Sequence, residues 1–422
     1  MFLALTCFRA SAQSFDTIHE VLRQFQVSFV EHANTSALLM GALEGLTQKS
    51  PGCKVLLKGS PELFVLRSGK KSMTISRKSL RSISELEKAV TAAAAFALKF
   101  GKVRSKRELE HAMVRQMVAH CGDKWSVFLE ADLYGRLLDD GTREVGSTGM
   151  LVEPWKDGLR VLDVVEQTPA FKAGIRQGMV VDSIAGRSAD KLNELEALAL
   201  MRGAVGKKVK IVLDGKSFTL LLEPEPKRNL SVTPMDGGLA HIRIFSFRQG
   251  TARRLKAVMA KLERHFKGKL KGVVLDLRAN PGGLVTEGTE VAGLFLPRGL
   301  VVSIVSKKHT RVEEEVNPAA GAYLKIPVVL LVDHRSASVS EILTMAFKDY
   351  KRARIVGTKT LGKGTVQVIL ELMDGSALKL STGRYYSPAQ TPIYDGIEPD
   401  IVIPWDGRGK DVQLEKALEL LK

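Results

Sequence analysis

The chain has 422 residues, 45% of them hydrophobic and 26% charged, which is the makeup of a globular protein with two or three domains. No apolar run approaches the 18 or so residues that a bilayer-spanning helix needs. The net charge of +17 invites a nucleic-acid reading, but no zinc-finger, RNA-recognition or basic-zipper signature accompanies it, and no nucleic-acid partner is expected.

Met1 to Phe8, followed by Ala10-Ser11-Ala12, reads as the tail of a secretory signal peptide over residues 1–12, with an A-x-A cleavage site. This predicts export, to the periplasm or cell envelope of a bacterium. Cleavage after Ala12 would remove Cys7 and leave Cys53 and Cys121, either as a disulfide in an oxidising compartment or as two buried thiols. Residues 15–145 read as a mainly helical domain. Apolar spacings of three and four mark helices over 15–30, 35–46, 84–98, 109–120 and 126–138, with short strands at 53–58 and 63–67. From Arg67 to Arg107, twelve basic residues stand against only Glu85 and Glu87. This basic insertion, near 52–108, is a solvated face or a peripheral contact for anionic lipid, cell-wall polymer or an acidic partner.

Glycines at 141, 146 and 149 mark a boundary. Residues 146–225 then alternate short strands with one helix at 191–202, and Glu223-Pro-Glu-Pro226 reads as a linker. From 226 to 422, strands at 239–245, 272–276, 326–332 and 354–356 alternate with helices at 251–266, 285–294 and 338–349. That alternation implies a parallel or mixed sheet with crossover helices, and an active site at the carboxyl ends of its strands. The fold class is therefore multidomain α+β: a mainly helical N-terminal domain, a small middle domain and a mixed α/β core.

Ser336-Ala-Ser-Val-Ser-Glu341 opens a helix just after the strand at 326–332, and Ser338 stands 25 residues before Lys363 in Gly362-Lys-Gly364. A serine hydroxyl is a weak nucleophile until a base takes its proton. Lysine can be that base only when neutral, which requires burial to lower its pKa from about 10.4 to roughly 7–8. The flanking glycines let other backbone approach closely. On the strand that follows, Gln367 shares a face with Lys363 and can orient its amine. Read alone, Ser338 and Glu341 also fit an ordinary capping box, and Lys363 a solvated hairpin. Val273 to Gly283 runs from a buried strand into Asn280-Pro-Gly-Gly283, whose N–H groups, with that of Val339, can bind a developing oxyanion. An ordinary glycine turn is the alternative.

Asp276-Leu-Arg-Ala-Asn-Pro-Gly-Gly283, Ser336-Ala-Ser-Val-Ser-Glu-Ile342, Gly362-Lys-Gly-Thr-Val-Gln367, Arg384-Tyr-Tyr-Ser-Pro388 and Gly396-Ile-Glu-Pro-Asp400 resemble the carboxyl-terminal processing (tail-specific) protease family. The resemblance spans residues 109–422 in the expected order and spacing. It implies a serine endopeptidase with Ser338 as nucleophile, Lys363 as general base, Gln367 orienting the lysine, and Gly282 or Gly283 with Val339 as oxyanion hole. It implies no metal or organic cofactor. Asp349 matches an aspartate counted by some descriptions as a third relay member. Near a helix C-terminus a carboxylate opposes the helix dipole, which predicts instead an ion pair with Lys351 or Arg352.

Residues 146–222 resemble the family's PDZ domain, with Thr168-Pro-Ala-Phe-Lys-Ala-Gly-Ile-Arg-Gln-Gly178 as its helix-and-turn signature. Thr148, Gly149, Met150 and Leu151 would form the loop and strand that receive a C-terminal tail, so the implied partners are protein substrates held by their tails. Met150 stands where a second glycine is usual, and Met179 where an acidic residue is usual. Residues 37–46 resemble the family's N-terminal helix, but the expected continuation at Asp123 arrives only after the basic insertion. That insertion implies a homo-oligomerisation element, an adaptor surface or a decorative subdomain. Gly357 to Lys363 imitates a phosphate-binding loop, but Gly364 fills the required Ser/Thr position and a strand follows where a helix must begin. The rival to a working protease is a catalytically latent PDZ scaffold that awaits a partner.

Overall fold

The computed structural model describes residues 14–58, 63–138, 145–224, 229–317, 321–405 and 409–422. The expected signal segment and Gly141 lie outside the described residues. The chain divides into two units, Met1–Pro226 with Gln367–Ser381, and Lys227–Val366 with Thr382–Lys422.

The first unit opens with α1 (Asp16–Val27) and α2 (Thr35–Lys49), then a three-stranded antiparallel sheet of β1 (Lys54–Lys58), β2 (Leu63–Ser68) and β3 (Lys71–Ser76). Helices α3 (Ile83–Phe100) and α4 (Lys106–Ala119) follow, each started by a serine, Ser82 and Ser105, whose hydroxyl accepts from the third residue's N–H. α2 crosses α4 closely enough that a β-carbon on Gly45 would lie 2.1 Å from the Ala112 carbonyl oxygen, so no other residue fits there. Cys53 and Cys121 are both buried and free, so the two-thiol alternative describes this structure and the disulfide does not. The helix expected over 126–138 is instead strand β4 (Val127–Leu129) followed by α5 (Ala131–Leu137). Val-Phe-Leu suits a strand, and it pairs antiparallel with residues 377–379.

Residues 145–224 continue this unit with β5 (Val145–Ser147), β6 (Met150–Trp155), β7 (Gly158–Val164), α6 (Pro169–Lys172), β8 (Val180–Ile184), β9 (Arg187–Ser188), α7 (Glu194–Leu200), β10 (Arg202–Ala204), β11 (Lys208–Leu213), β12 (Lys216–Leu221) and β13 (Glu223–Pro224). The main sheet runs β12-β11-β8-β7-β6, with β6 at its edge. α7 is shorter than the predicted 191–202 because Asn193 caps it in a reciprocal box with Glu196.

The second unit is built on a sheet ordered β14-β15-β16-β19-β20-β23. From residue 230 onward the elements of the chain are β14 (Leu230–Met235), β15 (Leu239–Ile244), α8 (Thr251–His265), β16 (Gly272–Asp276), α9 (Val285–Phe295), β17 (Leu300–Ser306), β18 (Arg311–Glu315), β19 (Val328–Val332), α10 (Val339–Asp349), β20 (Arg354–Gly357), β21 (Thr365–Glu371), β22 (Ala377–Tyr386), β23 (Ile401–Val402) and α11 (Val412–Glu419). From β15 to β23 neighbouring strands are parallel, while β14 is antiparallel to β15. Every residue of β16 and β19 is buried, and up to Asp276 at the end of β16 they carry the apolar run of strands covered on both faces. Alternate side chains divide as the pleat requires. Leu275, Leu330 and Val332 join the core with α8, α9 and α10, while Val274, Val329 and Leu331 meet α11. β17 pairs with both β18 and the end of β22, from Gly383 to Tyr386. Residues 367–381 of the β21–β22 hairpin group with the first unit. No helix among the described residues is long and apolar enough to cross a membrane.

Candidate active site

Three adjacent parallel strands, β16, β19 and β20, deliver their carboxyl-end loops to one place, where open α/β sheets bind ligands. The loop after β16 carries Asn280 to Gly283, the loop after β19 carries Ser336 and Ser338, and the loop after β20 carries Thr360 and Lys363.

The three serines of the β19–α10 loop have different environments. Ser336 is fully buried and donates its hydroxyl to the Leu277 carbonyl at 2.7 Å. Ser340, also fully buried, donates to the Asn280 carbonyl at 3.0 Å. Both tie the β19 loop to the β16 loop. Ser338 is half-buried and sits at φ 55°, ψ −116°, a conformation rare for a residue with a β-carbon. Such strain gathers where the surrounding structure over-determines the backbone, as at functional turns.

The β16 loop is fixed by Asn280, which is fully buried. Its amide donates to the Ile244 carbonyl at 2.8 Å, and its Oδ1 accepts from Gly282 N–H at 2.9 Å. Its carbonyl accepts from Ala337 N–H at 3.0 Å. Just upstream, Arg278 donates to both oxygens of Asp276, at 2.9 and 2.6 Å, and to both oxygens of Asp411, at 2.9 and 2.8 Å. Burial opposes the charge on Asp276, but His241 and Arg278 hold its carboxyl far below the usual range. A β-carbon on Gly283 would lie 2.2 Å from the Phe247 carbonyl oxygen. Phe247 bonds this turn on both sides, donating to the Gly282 carbonyl and accepting from Leu284 N–H.

Lys363 is half-buried between two glycines that the chain needs for close approach. A β-carbon on Gly362 would lie 2.7 Å from Gly396 N, and one on Gly364 would collide with the Ile393 carbonyl. Glu341, placed by its spacing as a cap, does accept from Ser338 N–H at 2.9 Å. It also accepts from Lys363 N–H at 2.8 Å. Tyr385, missed in the sequence, is hydrogen-bonded to the Ser338 side chain, and burial pushes its phenol up to about 12. Its signal in the sequence is the Arg384-Tyr-Tyr-Ser-Pro388 segment, which carries the family resemblance but gives the tyrosine no role of its own.

Other expected residues lie elsewhere. Asp349 stands eleven residues along α10, roughly 16 Å from Ser338 at 1.5 Å per residue. Its carboxylate accepts from Ala389 N–H at 2.9 Å, so it anchors a loop and has no place in a relay. Nor does Arg352 pair with it: that guanidinium donates to the carbonyls of Phe295, Tyr323 and Ile326. Gln367 groups with the first unit, where its amide donates to Ser381 Oγ at 3.4 Å. Near β6, Thr148 is fully buried with both main-chain groups engaged, its N–H to Met201 and its carbonyl from Ala170. Met150 is buried, whereas Leu151 is exposed. Gly149, at φ 76°, packs so tightly that a β-carbon would lie 2.2 Å from the Thr168 side chain.

This arrangement is that of a peptidase core, and comparison with known proteins agrees. Residues 238–403 match peptidase family S41. The chain is 32% identical over 306 residues to a carboxy-terminal-processing protease of Bartonella bacilliformis, covering 70% of each chain. It is 30% identical over 335 residues to a carboxyl-terminal-processing protease of a Synechocystis species, covering 75% of this chain and 77% of that one. The fold resembles that of a photosystem II D1 C-terminal processing protease, with a TM-score of 0.67 at 23% identity over 97% of this chain and 98% of the other. The chain belongs to peptidase family S41 and is a serine peptidase.

Proposed function

We propose that this peptidase cleaves protein substrates near their C-termini, with Ser338 as nucleophile and Lys363 as general base. The observation that carries this reading is the backbone of Ser338: of three neighbouring serines it alone is half-exposed and strained, on a loop bonded to the lysine loop. The neutral amine of Lys363 takes the hydroxyl proton as Ser338 Oγ attacks the scissile carbonyl. The tetrahedral oxyanion is held by main-chain donors. Gly282 N–H is already committed to Asn280, so Gly283 is the glycine that partners Val339 in this role. Lys363 then gives its proton to the leaving amine, and water hydrolyses the acyl-enzyme.

Residues 146–225 act as a PDZ domain that adds the substrate's tail to the edge of β6, beside Gly149, Met150 and Leu151. Thr148 supports that loop from within. We place the enzyme outside the cytoplasm, on the strength of residues 1–12. The basic insertion serves an envelope contact, an adaptor or self-association. The test is cleavage of casein as an unfolded substrate: Ser338→Ala and Lys363→Ala should each abolish turnover. Full activity in either variant would remove that residue from the mechanism.

A further inference from the structure

Glu341 does more than a helix cap requires. A capping box asks its carboxylate for one bond, to the N-cap N–H. Here the fully buried side chain accepts four. Oε2 takes Ser338 N–H at 2.9 Å and Lys363 N–H at 2.8 Å. Oε1 takes Thr360 Oγ1–H at 2.6 Å and Gly362 N–H at 2.7 Å. A single oxygen thus bridges the main chains of residues 338 and 363, and their nitrogens can be no further apart than two hydrogen bonds placed end to end. Three of the four donors come from the β20–β21 loop, not from the helix that Glu341 caps.

The remaining contacts turn this bridge into a frame. The Thr360 hydroxyl donates to Glu341 while accepting from Ile397 N–H at 2.7 Å. The Leu361 N–H donates to the Ser336 carbonyl at 3.1 Å. Burial pushes the Glu341 carboxyl up in pKa, and the bonds from Thr360, Gly362, Ser338 and Lys363 pull against that shift. A group kept in so dry a place with every lone pair engaged is more than a helix stop, because each of these donors would lose its partner if the carboxylate were gone.

We propose that Glu341 is a positioning residue that holds the nucleophile turn and the lysine loop in one fixed relation, so that the dyad geometry is set by this carboxylate. The inference rests on the Ser338–Lys363 reading. Glutamine has the same shape but only one acceptor oxygen. Whichever way its amide is turned, an N–H₂ group faces main-chain donors: Ser338 and Lys363 on one side, Gly362 on the other. The frame must then open, and a displacement of about 1 Å in a reacting pair can lower the rate on the order of 100-fold.

The experiment compares the full-length parent with Glu341→Gln, Thr360→Val, Thr360→Ser and Ser338→Ala. It measures kcat and KM on casein, labelling of Ser338 by a fluorophosphonate probe, and the melting temperature. Glu341→Gln should lose on the order of 100-fold in kcat and label slowly, with KM within about twofold of the parent. Thr360→Val, which removes one donor and keeps the carboxylate, should lose about three- to tenfold in kcat, and Thr360→Ser should recover most of it. A parent-like kcat and labelling rate in Glu341→Gln would overturn the proposal. If Glu341→Gln does not fold, Thr360→Val decides: a parent-like kcat there overturns it, and a loss reversed by serine supports it. Cleavage by Ser338→Ala would sink the dyad reading itself, a failure distinct from this one.

Discussion

Gly282 is packed directly against Ser338: a β-carbon on the glycine would lie 2.9 Å from Cβ of the serine, and 2.9 Å from Val339 N. The glycine also sits at φ 98°, where a side chain adds strain. Gly282→Ala must therefore push the Asn280–Gly283 turn away from the nucleophile. We expect kcat on casein to fall by on the order of 100-fold and stability by about 1–3 kcal/mol, read by turnover and by denaturant unfolding. Parent-like turnover would show that the turn has no part in the chemistry.

Tyr385 steadies the nucleophile's hydroxyl from inside the core. Its phenol, pushed up to about 12 by burial, is protonated at neutral pH, so it holds Ser338 by hydrogen bonding and not as a base. Tyr385→Phe removes one neutral hydrogen bond and little volume. A loss of about three- to tenfold in kcat is expected, with the pH profile unmoved. A shifted profile would mean that the phenol takes part in proton transfer.

Arg278 joins β16 to the start of α11 through Asp276 and Asp411, with Gln413 as a further acceptor at 3.1 Å. Removing the guanidinium leaves the Asp276 carboxylate buried, with His241 and the main-chain N–H of residue 278 as its remaining partners. Arg278→Ala should cost about 3–5 kcal/mol, measured by denaturant unfolding. Arg278→Lys should recover only part of this, since an ammonium cannot reproduce two bidentate pairs.

Asp374, at the tip of the β21–β22 hairpin, binds the helical domain: its carboxylate accepts from Thr17 at 3.2 Å and bonds His111 at 2.6 Å. Burial works against the charge, but Ser376 and His111 hold the carboxyl down at about 2. An aspartate held down at about 2 while partly open to solvent contributes, after screening, on the order of 1 kcal/mol above the unfolded value. That contribution is lost as pH falls from near 4 through 2. Asp374→Asn should lower the melting temperature at pH 7, and the gap from the parent should narrow at pH 2. A gap independent of pH would assign the loss to shape and not to charge.

The buried strands β16 and β19 were legible because short β-branched and aliphatic runs, residues 273–275 and Val328–Val332, leave few other structures open to them. The glycines flanking Lys363 were legible as places of close approach, and the contacts at Gly362 and Gly364 explain them. What stayed hidden depended on contacts far apart in sequence. β4 reads as part of a helix until its pairing with residues 377–379 is known. Asp349 fits the family's spacing, yet three helical turns carry it away from the serine. Glu341 was visible as a cap, but its bonds to Thr360, Gly362 and Lys363 could not be read from a three-residue interval.

The backbone at position 338 sets catalysis against thermal endurance. Glycine tolerates φ 55° without the crowding a β-carbon brings, so Ser338→Gly should melt higher than the parent while being inert. Under the proposed mechanism the hydroxyl is what serine supplies here and glycine cannot, and the difference in melting temperature between the two forms measures the stability that this hydroxyl costs.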